Sequence, residues 1–321
     1  ERNLLGRGQD LRFGVSVGSD SQTIDIGFTE PYFLDRELSD GVDLFHTVSD
    51  KQDESSFDEK RTGGGIRFGY EIADYLSQSL RYRFTRSRIT DVSNDASEFI
   101  KAQEGRNTTS LVGQTLTYDR RNSRSRPTDG YVVSGTTDFA GLGGSSKFFH
   151  PNVSGSVFYQ FADDWVLSQR GQAGRFFPFG DDDEVELFNR FFTTQNSFRG
   201  FENAGVGARS RDGDKDALGA DTYLIGSSEI SFPLGLPDEF GLTGALFSDY
   251  GIVSLEDVET VTDSARRAVF IDNEFSPRLS VGFGVNWVSP FGPIRADFAH
   301  AVIKEDFDQT EVFSFNFGTR F

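Results

Sequence analysis

Cysteine and methionine are both absent from this chain of 321 residues. Without cysteine, the protein can form no disulfide framework, no thiol nucleophile and no cysteine-ligated metal site. The chain begins with a glutamate and shows no secretory leader, so we expect a mature or excised piece of a longer protein.

Basic residues are outnumbered and long apolar runs are lacking. The chain carries 32 basic and 50 acidic residues, and its net charge of -18 argues against nucleic acid as a partner. No segment approaches the ~18 apolar residues that a membrane-spanning helix requires. These features suit a soluble acidic domain. They suit a transmembrane β-barrel equally well, because only every second residue of each barrel strand faces lipid.

Signatures of catalysis are lacking as well. The histidines His46, His150 and His300 are isolated from one another, and no HExxH motif occurs. We therefore expect no enzymatic activity, no cofactor and no metal ion. The acidic runs Asp181–Glu184 and Asp212–Asp216 do not have EF-hand spacing, so we expect solvated loop charge there.

Phenylalanine and glycine are abundant, with 34 and 35 copies. In the last nine residues, FSFNFGTRF, the four phenylalanines share one parity, and Ser314, Asn316, Gly318 and Arg320 share the other. Successive side chains of a β-strand point to opposite faces, so this pattern predicts a strand with one aromatic face. The same alternation recurs along the chain, at Leu11–Val17, Ile24–Phe28, Leu80–Thr85, Tyr131–Phe139, Val153–Phe161, Leu279–Trp287 and Ile294–Val302.

This alternation predicts an all-β fold, because no helical stripe with caps is evident. The polar face is rich in small and charged residues, which suits the wet lumen of a transmembrane barrel better than the core of a soluble β-protein. Short turns alternate with long charged segments. The predicted turns are Ala73–Asp74, Ala162–Asp164 and Ser289–Pro293, and the predicted long loops are Asp50–Thr62, Thr90–Asn107, the stretch after Phe201 and Ser254–Pro277.

The number of strands follows from the position of the chain ends. We count about fifteen strand signals, and a barrel with both termini on the periplasmic side needs an even number. One weak strand is therefore expected between Arg199 and Arg211. The prediction is a sixteen-stranded antiparallel transmembrane β-barrel with a long loop after its eleventh strand.

That long loop contains the sequence FFTTQNSFRGFENAGVG, in which Phe198 and Phe201 flank Arg199 and Gly200. Two aromatic residues beside Arg-Gly would be poor choices for a loop in water. They indicate that the loop folds back into the lumen, where the buried guanidinium needs an acidic partner. By strand parity, two acids on the following strands face the same interior, namely Glu229 and Asp249.

Several motifs resemble one family. SFRGF resembles the Arg-Gly-Phe loop signature of the outer-membrane insertases and two-partner transporters that carry periplasmic POTRA domains. The tract FTEPYFLD is most similar to the BamA family of insertases. The remaining motifs that fit, in order and spacing, are NLLGRGQ at Asn3–Gln9, RPTDGY at Arg126–Tyr131, VSPFGPIRADFA at Val288–Ala299 and the terminal aromatic strand.

The resemblance implies a single barrel domain over residues 1–321 that folds and inserts other β-barrels. It also implies POTRA domains on the periplasmic side, which this chain does not contain. In the family, the loop arginine pairs inside the lumen with acids on the twelfth and thirteenth strands, and those positions match Glu229 and Asp249. Their role is expected to be structural, holding the loop against the wall.

A lateral seam between the first and last strands is the expected site of insertion. Unpaired backbone groups in lipid are very unfavourable, so an open edge can recruit the terminal strand of a substrate. Glycine packs nothing across a strand pair and would weaken the seam. The seam residues are Leu11, Phe13, Gly14, Val15 and Val17 in the first strand and Phe315, Phe317, Gly318 and Phe321 in the last.

The expected partners are unfolded outer-membrane β-barrel substrates, accessory lipoproteins of the BAM complex, periplasmic chaperones and outer-membrane lipids. The expected location is the bacterial outer membrane, with both chain termini periplasmic. Two alternatives share the barrel: a specialised transporter, TamA-like or of the two-partner secretion type, and, less well supported, a diffusion porin. An outer-membrane hydrolase would need a Ser-His pair that the sequence does not reveal.

Overall fold

The computed structural model describes all residues except 1, 5, 7, 19, 181–183, 257–267, 290–291 and 318–321. Strands dominate it, and the helices are a few short turns. The α-helices are α1, Gln52–Ser55, and α2, Glu98–Ala102, and single 3-10 turns cover Phe33–Asp35, Leu187–Asn189 and Asp238–Phe240. In the described part of the chain, no helix has the length and apolarity to cross a membrane.

The strands up to the long loop are β1 Arg2–Leu4, β2 Gln9–Val17, β3 Ser21–Glu30, β4 Leu38–Lys51, β5 Phe57–Ala73, β6 Leu76–Thr90, β7 Gly105–Asp119, β8 Gly130–Gly144, β9 Phe148–Ala162, β10 Trp165–Arg175 and β11 Phe177–Pro178. Those that follow are β12 Ala208–Ser210, β13 Ala217–Gly219, β14 Thr222–Pro233, β15 Leu242–Ser254, β16 Ile271–Asp272, β17 Arg278–Ser289, β18 Gly292–Ile303 and β19 Phe313–Phe317.

One antiparallel sheet of sixteen strands forms the wall of the barrel. Neighbours in sequence are neighbours in the sheet, with three exceptions: β10 pairs with β14 across the long loop, β15 pairs with β17, and the two-residue β11 lies off this path and pairs with β9. This confirms the all-β barrel and the position of the loop after the eleventh strand. The weak strand expected between Arg199 and Arg211 is wrong as a wall strand, because β12 pairs with β13 and β16 in a separate three-stranded sheet.

The outward face of the wall is apolar, as the alternation predicts. On β2, the side chains of Phe13, Val15 and Val17 are 68%, 59% and 74% exposed, and on β19 the side chains of Phe315 and Phe317 are 59% and 64% exposed. A chain in water would bury such residues. Their exposure along every long strand is the arrangement expected of a lipid-facing surface.

The two ends of the barrel differ. At one end, here called the turn end, β5 and β6 are joined through Asp74 and Tyr75, and β9 and β10 through Asp163 and Asp164, with positive φ at Tyr75 and Asp164. The other end, the loop end, carries α1, α2 and the long segments. The predicted long loop at Asp50–Thr62 is wrong, because β4 and β5 continue pairing up to Lys51 and Phe57.

That correction has a physical cause. The charged run after Phe57 reads as solvated loop, but Glu59 points inward and is 2% exposed. Its carboxylate lies 3.3 Å from Lys51 Nζ and 3.6 Å from Arg61 Nε. Paired charges can thus line the inside of a strand near the end of the barrel.

The segment between β11 and β14, residues 179–221, is here called the Arg199 loop, and its described residues pack inside the lumen. Phe198, Phe201 and Val206 of this loop form a buried cluster with wall residues that include Tyr223 and Val253. This confirms that the loop folds into the lumen. A second buried cluster, at the loop end, joins the same loop to α2 and β5 through Phe57, Ile89, Phe99, Ile100, Leu187, Phe188 and Leu218.

Two acids of the second acidic run, Asp212 and Asp216, take part in this packing. Asp216 is 2% exposed, and its carboxylate accepts hydrogen bonds from Ser56 Oγ and from the backbone N–H of Ser97, both at 2.6 Å. Asp212 accepts a hydrogen bond of 2.9 Å from the backbone N–H of Glu98. The prediction of free loop charge is therefore wrong for these two residues, which satisfy backbone donors at the start of α2. In the first run, 181–183 lie outside the described residues.

Candidate functional site: an ion network between the lumen loop and the wall

The tip of the Arg199 loop turns so that its arginine points at the wall. The backbone N–H of Phe198 donates to Thr194 O at 2.9 Å, which makes a compact turn before the motif. The rings of Phe198 and Phe201 lie 5.0 Å apart at 70°, and both are buried to 1% or less. These two aromatic residues exclude water from both sides of Arg199, which is itself 1% exposed.

Asp249 on β15 is the strongest partner of Arg199. Its carboxylate accepts two hydrogen bonds from the guanidinium, 2.7 Å from Nε and 2.6 Å from Nη2, and a third of 2.9 Å from the backbone N–H of Arg199. Asp249 is 0% exposed. A bidentate arginine–carboxylate pair fixes orientation as well as charge, so this contact determines how the tip of the loop is turned.

Arg199 makes further contacts with β14 and β15. Nη1 donates to Glu229 at 2.7 Å and Nη2 donates to Ser227 Oγ at 2.9 Å, both on β14. The guanidinium carbon lies 3.3 Å from the ring centroid of Phe247, a close cation–π contact. A buried guanidinium is tolerated only when it is paired and hydrogen-bonded, and here β14 and β15 meet both conditions together.

A second arginine, Arg295 on β18, completes the network. Its guanidinium donates to Glu229 at 2.8 and 3.1 Å and to Asp297 at 2.7 and 2.9 Å. Asp297 also lies 3.9 Å from Nη1 of Arg199. Glu229 is therefore shared between the two arginines, and the network joins the loop to β14, β15 and β18.

The sequence-predicted trio of Arg199, Glu229 and Asp249 is brought together in the structure. Arg295, Asp297 and Ser227 were not foreseen. The sequence does indicate that Arg295 and Asp297 face the lumen, because their parity on β18 is opposite to that of the outward Phe298. Parity gives the face of a strand, however, and not which residue on a distant strand lies at the same height.

Gly200 fits closely against the wall. Its φ of +89° lies in the region that favours glycine, and a Cβ at this position would lie 3.0 Å from Ser280 Cβ and 3.4 Å from Ala299 Cβ. Ser280 Oγ donates to the backbone carbonyl of Arg199 at 2.6 Å. The residue after the arginine must therefore be small for the loop to approach β17 and β18.

The Arg199 loop is also held to the loop that precedes the last strand. In that segment, residues 304–312, Gln309 exchanges backbone hydrogen bonds with Glu202 and Gly205 at 3.1 and 2.9 Å. The backbone N–H of Glu311 donates to Gly200 O at 3.2 Å. Backbone pairing of this kind connects the arginine motif directly to the segment that leads into β19.

The 304–312 segment has its own buried ion pair. Arg278 Nε at the start of β17 lies 2.9 Å from Asp308, and both side chains are 0% exposed. Nη1 of Arg278 donates to the backbone carbonyls of Glu274 and Ser276 at 3.0 and 2.8 Å. The segment before β19 is thus fixed to β17 independently of the Arg199 network.

Arg190 organises the Arg199 loop itself. Its guanidinium donates to Val185 O at 2.6 Å and to Leu218 O at 3.1 Å, and it lies 3.0 Å from the carboxylate of Glu184. Burial lowers the pKa of the Arg190 guanidinium, and Glu184 opposes that shift. These bonds join the early part of the loop, around Glu184 and Val185, to its late part at Leu218.

The predicted seam residues lie at the two edges of the described sheet. Leu11, Phe13, Gly14, Val15 and Val17 are on β2, which pairs with β3 along this stretch and with β1 only through Gln9 and Asp10. Phe315 and Phe317 are on β19, which pairs with β18. Among the described residues, no backbone pairing joins β2 to β19. Gly318 and Phe321 lie outside the described residues.

The histidines do not gather into a site. His46 Nδ1 lies 2.7 Å from Thr62 Oγ1 on the wall, and His150 lies 3.2 Å from the hydroxyl of Tyr223. The ring of His150 stacks on Phe176 at 3.7 Å. Among the residues that the structure describes, no group of three or more His, Cys, Asp and Glu side chains could hold a metal ion.

Comparisons with known proteins agree on one family. The family model of the Omp85 superfamily domain matches residues 3–321. The outer membrane protein assembly factor BamA of Neorickettsia risticii is 30% identical over 316 residues, which cover 98% of this chain and 41% of that protein. The chain thus spans less than half the length of this relative.

Solved structures give the same fold. The crystal structure of BamA from Haemophilus ducreyi lacking POTRA domains 1–3 matches with a TM-score of 0.82 at 19% identity, covering 98% of this chain and 65% of that one. CdiB from Acinetobacter baumannii matches with a TM-score of 0.58 at 13% identity, covering 98% and 55%. The barrel is therefore shared widely, and it is more similar in detail to the BamA structure.

Proposed function

The chain belongs to the Omp85 superfamily, and on that premise we propose that it is the membrane-embedded part of an insertase that folds and inserts β-barrel proteins into the bacterial outer membrane. One observation carries the proposal, the similarity to an outer membrane protein assembly factor along 98% of this chain. The lumen supports it, because a segment packed against the wall by buried aromatic residues and ion pairs is poorly suited to a diffusion pore.

The insertion site is the lateral seam between β2 and β19. Both strands present exposed apolar side chains outward, including Val15 and Phe315. A strand edge in lipid carries backbone donors and acceptors that must be paired, so it binds an incoming strand by β-augmentation. A substrate's terminal strand would pair with β2 first, and the growing barrel would then separate from the seam.

The Arg199 network has a structural role in this proposal. It holds the loop against β14, β15 and β18, while the same loop pairs by backbone hydrogen bonds with residues 304–312 just before β19. A correctly docked loop thereby fixes the approach of the last strand to the seam. Arg199, Glu229 and Asp249 transfer no proton and act on no substrate bond.

The remaining assignments follow from the same proposal. The partners are unfolded outer-membrane barrel proteins, the periplasmic chaperones that deliver them, accessory BAM lipoproteins and the surrounding outer-membrane lipids. Both chain termini face the periplasm, where POTRA domains of the full-length protein receive substrates. The free energy comes from substrate folding and bilayer insertion, without a cofactor.

Depletion in the host tests the proposal. The full-length protein is depleted, and all outer-membrane barrel proteins are quantified by mass spectrometry together with the chaperone-bound precursors in the periplasm. A general loss of barrels with accumulation of precursors is the expected result. Loss of a single surface or secreted protein would instead assign the chain to a specialised transporter. As the control, the full-length protein is expressed again from a second copy of its gene, which should restore the barrel proteins.

A further inference from the structure

Four basic side chains lie together on the outward face of the wall near the loop end. Lys60 on β5 is directly opposite Arg88 on β6, and Arg88 is directly opposite Arg106 on β7. Arg86 lies two residues nearer the turn end on the same face of β6. Because neighbouring strands are about 4.8 Å apart, the row of three spans roughly 10 Å. These four residues are here called the basic row.

The side chains of the basic row are exposed and mostly lack acidic partners. All four side chains are exposed, whereas the alternating residues Thr85, Ser87 and Ile89 of β6 are buried. Among the described residues, no ion pair involves Arg86, Arg88 or Arg106. In a chain with net charge -18, three neighbouring arginines without a carboxylate are unexpected.

The acids near the row do not neutralise it. Asp91 is 3.9 Å from Lys60 Nζ and is itself largely exposed. Asp58, on the same face of β5, accepts a hydrogen bond from Gln52 at 2.9 Å. Glu104 precedes β7 and is exposed. Arg175, elsewhere at the loop end, differs from the arginines of the basic row because it forms an ion pair, 3.0 Å from the carboxylate of Glu256.

The surface below the basic row is apolar. Phe84 and Tyr82 follow on the same face of β6 and are 43% and 38% exposed, with Ile66 and Val112 beside them at 44% and 41%. At about 3.4 Å per residue, Arg86 and Arg88 stand roughly 7 and 14 Å above Phe84. The row therefore lies where the lipid-facing surface gives way to the loop end, at the level of lipid headgroups.

From this position and charge, we propose that the basic row binds the phosphate groups of a phosphorylated lipid headgroup in the leaflet that surrounds the loop end. Guanidinium groups bind phosphate with paired hydrogen bonds, and long basic side chains keep their charged ends at the interface while their stems lie on apolar surface. The acyl chains of the same lipid would lie on Phe84, Tyr82 and Ile66. The inference rests on the membrane placement of the barrel and does not depend on insertase activity.

Native mass spectrometry of the full-length protein tests the site. Protein in zwitterionic detergent is titrated with lipid A, a diphosphorylated lipid, and separately with phosphatidylcholine. The variant carries Arg86→Gln, Arg88→Gln and Arg106→Gln. The control carries Arg36→Gln, Arg124→Gln and Arg126→Gln, which removes the same charge from exposed residues at the turn end.

Each cation near a charged lipid surface contributes about fivefold to affinity, so the variant is expected to bind lipid A about 100-fold more weakly. The control and the wild type are expected to bind it equally, and phosphatidylcholine to bind all three proteins alike. Equal binding of lipid A by the variant and the wild type would overturn the proposal. So would displacement of lipid A by inorganic phosphate at the same concentration, since the site would then recognise free phosphate. Neither result would bear on the depletion experiment.

Discussion

The wall that faces the Arg199 loop and the two edges of the sheet are held very differently. β14 and β15 pair along the whole stretch from Thr222 to Pro233, and their inner faces carry Glu229 and Asp249. At the edges, the pairings among the described residues are shorter: β19 pairs with β18 over Phe313–Phe317, and β1 pairs with β2 through Gln9 and Asp10. The first region combines long backbone pairing with buried ions on its inner face, whereas the described pairing of β1 and of β19 at the edges is short.

This difference suggests a division of roles within one sheet. A buried ion pair is costly to break because each partner is left unpaired away from water. A short strand pair at an edge opens more readily, because each pairing adds little and the edge remains able to pair again. If the proposed function holds, foreign strands enter at one position of the sheet, and the rest of the wall has to stay closed.

Joining the edges covalently should have the largest effect. Ser16→Cys on β2 with Ser314→Cys on β19 is expected to abolish insertion of substrate barrels when oxidised and to restore it after reduction, because substrate strands can no longer enter. The chain has no cysteine of its own. Insertion is measured with the full-length protein in lipid vesicles, and cross-linking by the shift in gel mobility without reductant.

A disulfide in the closed part of the wall is the matched control. Ser228 and Ser248 are directly opposite each other on β14 and β15, so Ser228→Cys with Ser248→Cys should cross-link without loss of insertion. Full activity of the protein cross-linked between β2 and β19 would refute the seam. Failure of several such pairs to cross-link would show that the two edges do not meet.

Weakening the ion network should have the next largest effect. Asp249→Asn leaves Arg199 buried without its bidentate partner, and loss of one member of a buried pair costs about 3–5 kcal/mol. We expect a lower unfolding midpoint in urea, faster protease cleavage within the Arg199 loop and reduced insertion. Asp214→Asn is the control, since it removes the same charge from an exposed residue of the same loop. Unchanged protease resistance in Asp249→Asn would show that the network does not hold the loop.

How much of this structure the sequence predicts depends on whether a feature is set within one strand or by contact between distant strands. The outward faces are predictable, because each strand of a membrane wall must alternate whatever its neighbours are. Arg199 with Glu229 and Asp249 is predictable by parity and resemblance. Arg295 is not, because its contact with Glu229 depends on the relative height of β18 and β14, which are separated by two other strands. Likewise, Glu59 reads as loop charge until Lys51 is known to lie beside it.

The smallest predicted effect concerns how closely the loop approaches the wall. Gly200→Ala places a methyl group 3.0 Å from Ser280 Cβ and puts alanine at a φ of +89°, which costs about 1–2 kcal/mol. Every ion pair remains possible, so the loop should stay in the lumen but sit less tightly, with a modestly lower unfolding midpoint. Gly135→Ala on β8 is the control, because nothing lies within 4 Å of the added Cβ and that position should tolerate it. If Gly200→Ala lowered insertion as much as Asp249→Asn, the fit of the backbone against β17 would matter as much as the ion network. The attachment of the Arg199 loop to the wall would then depend on close packing and on charge together.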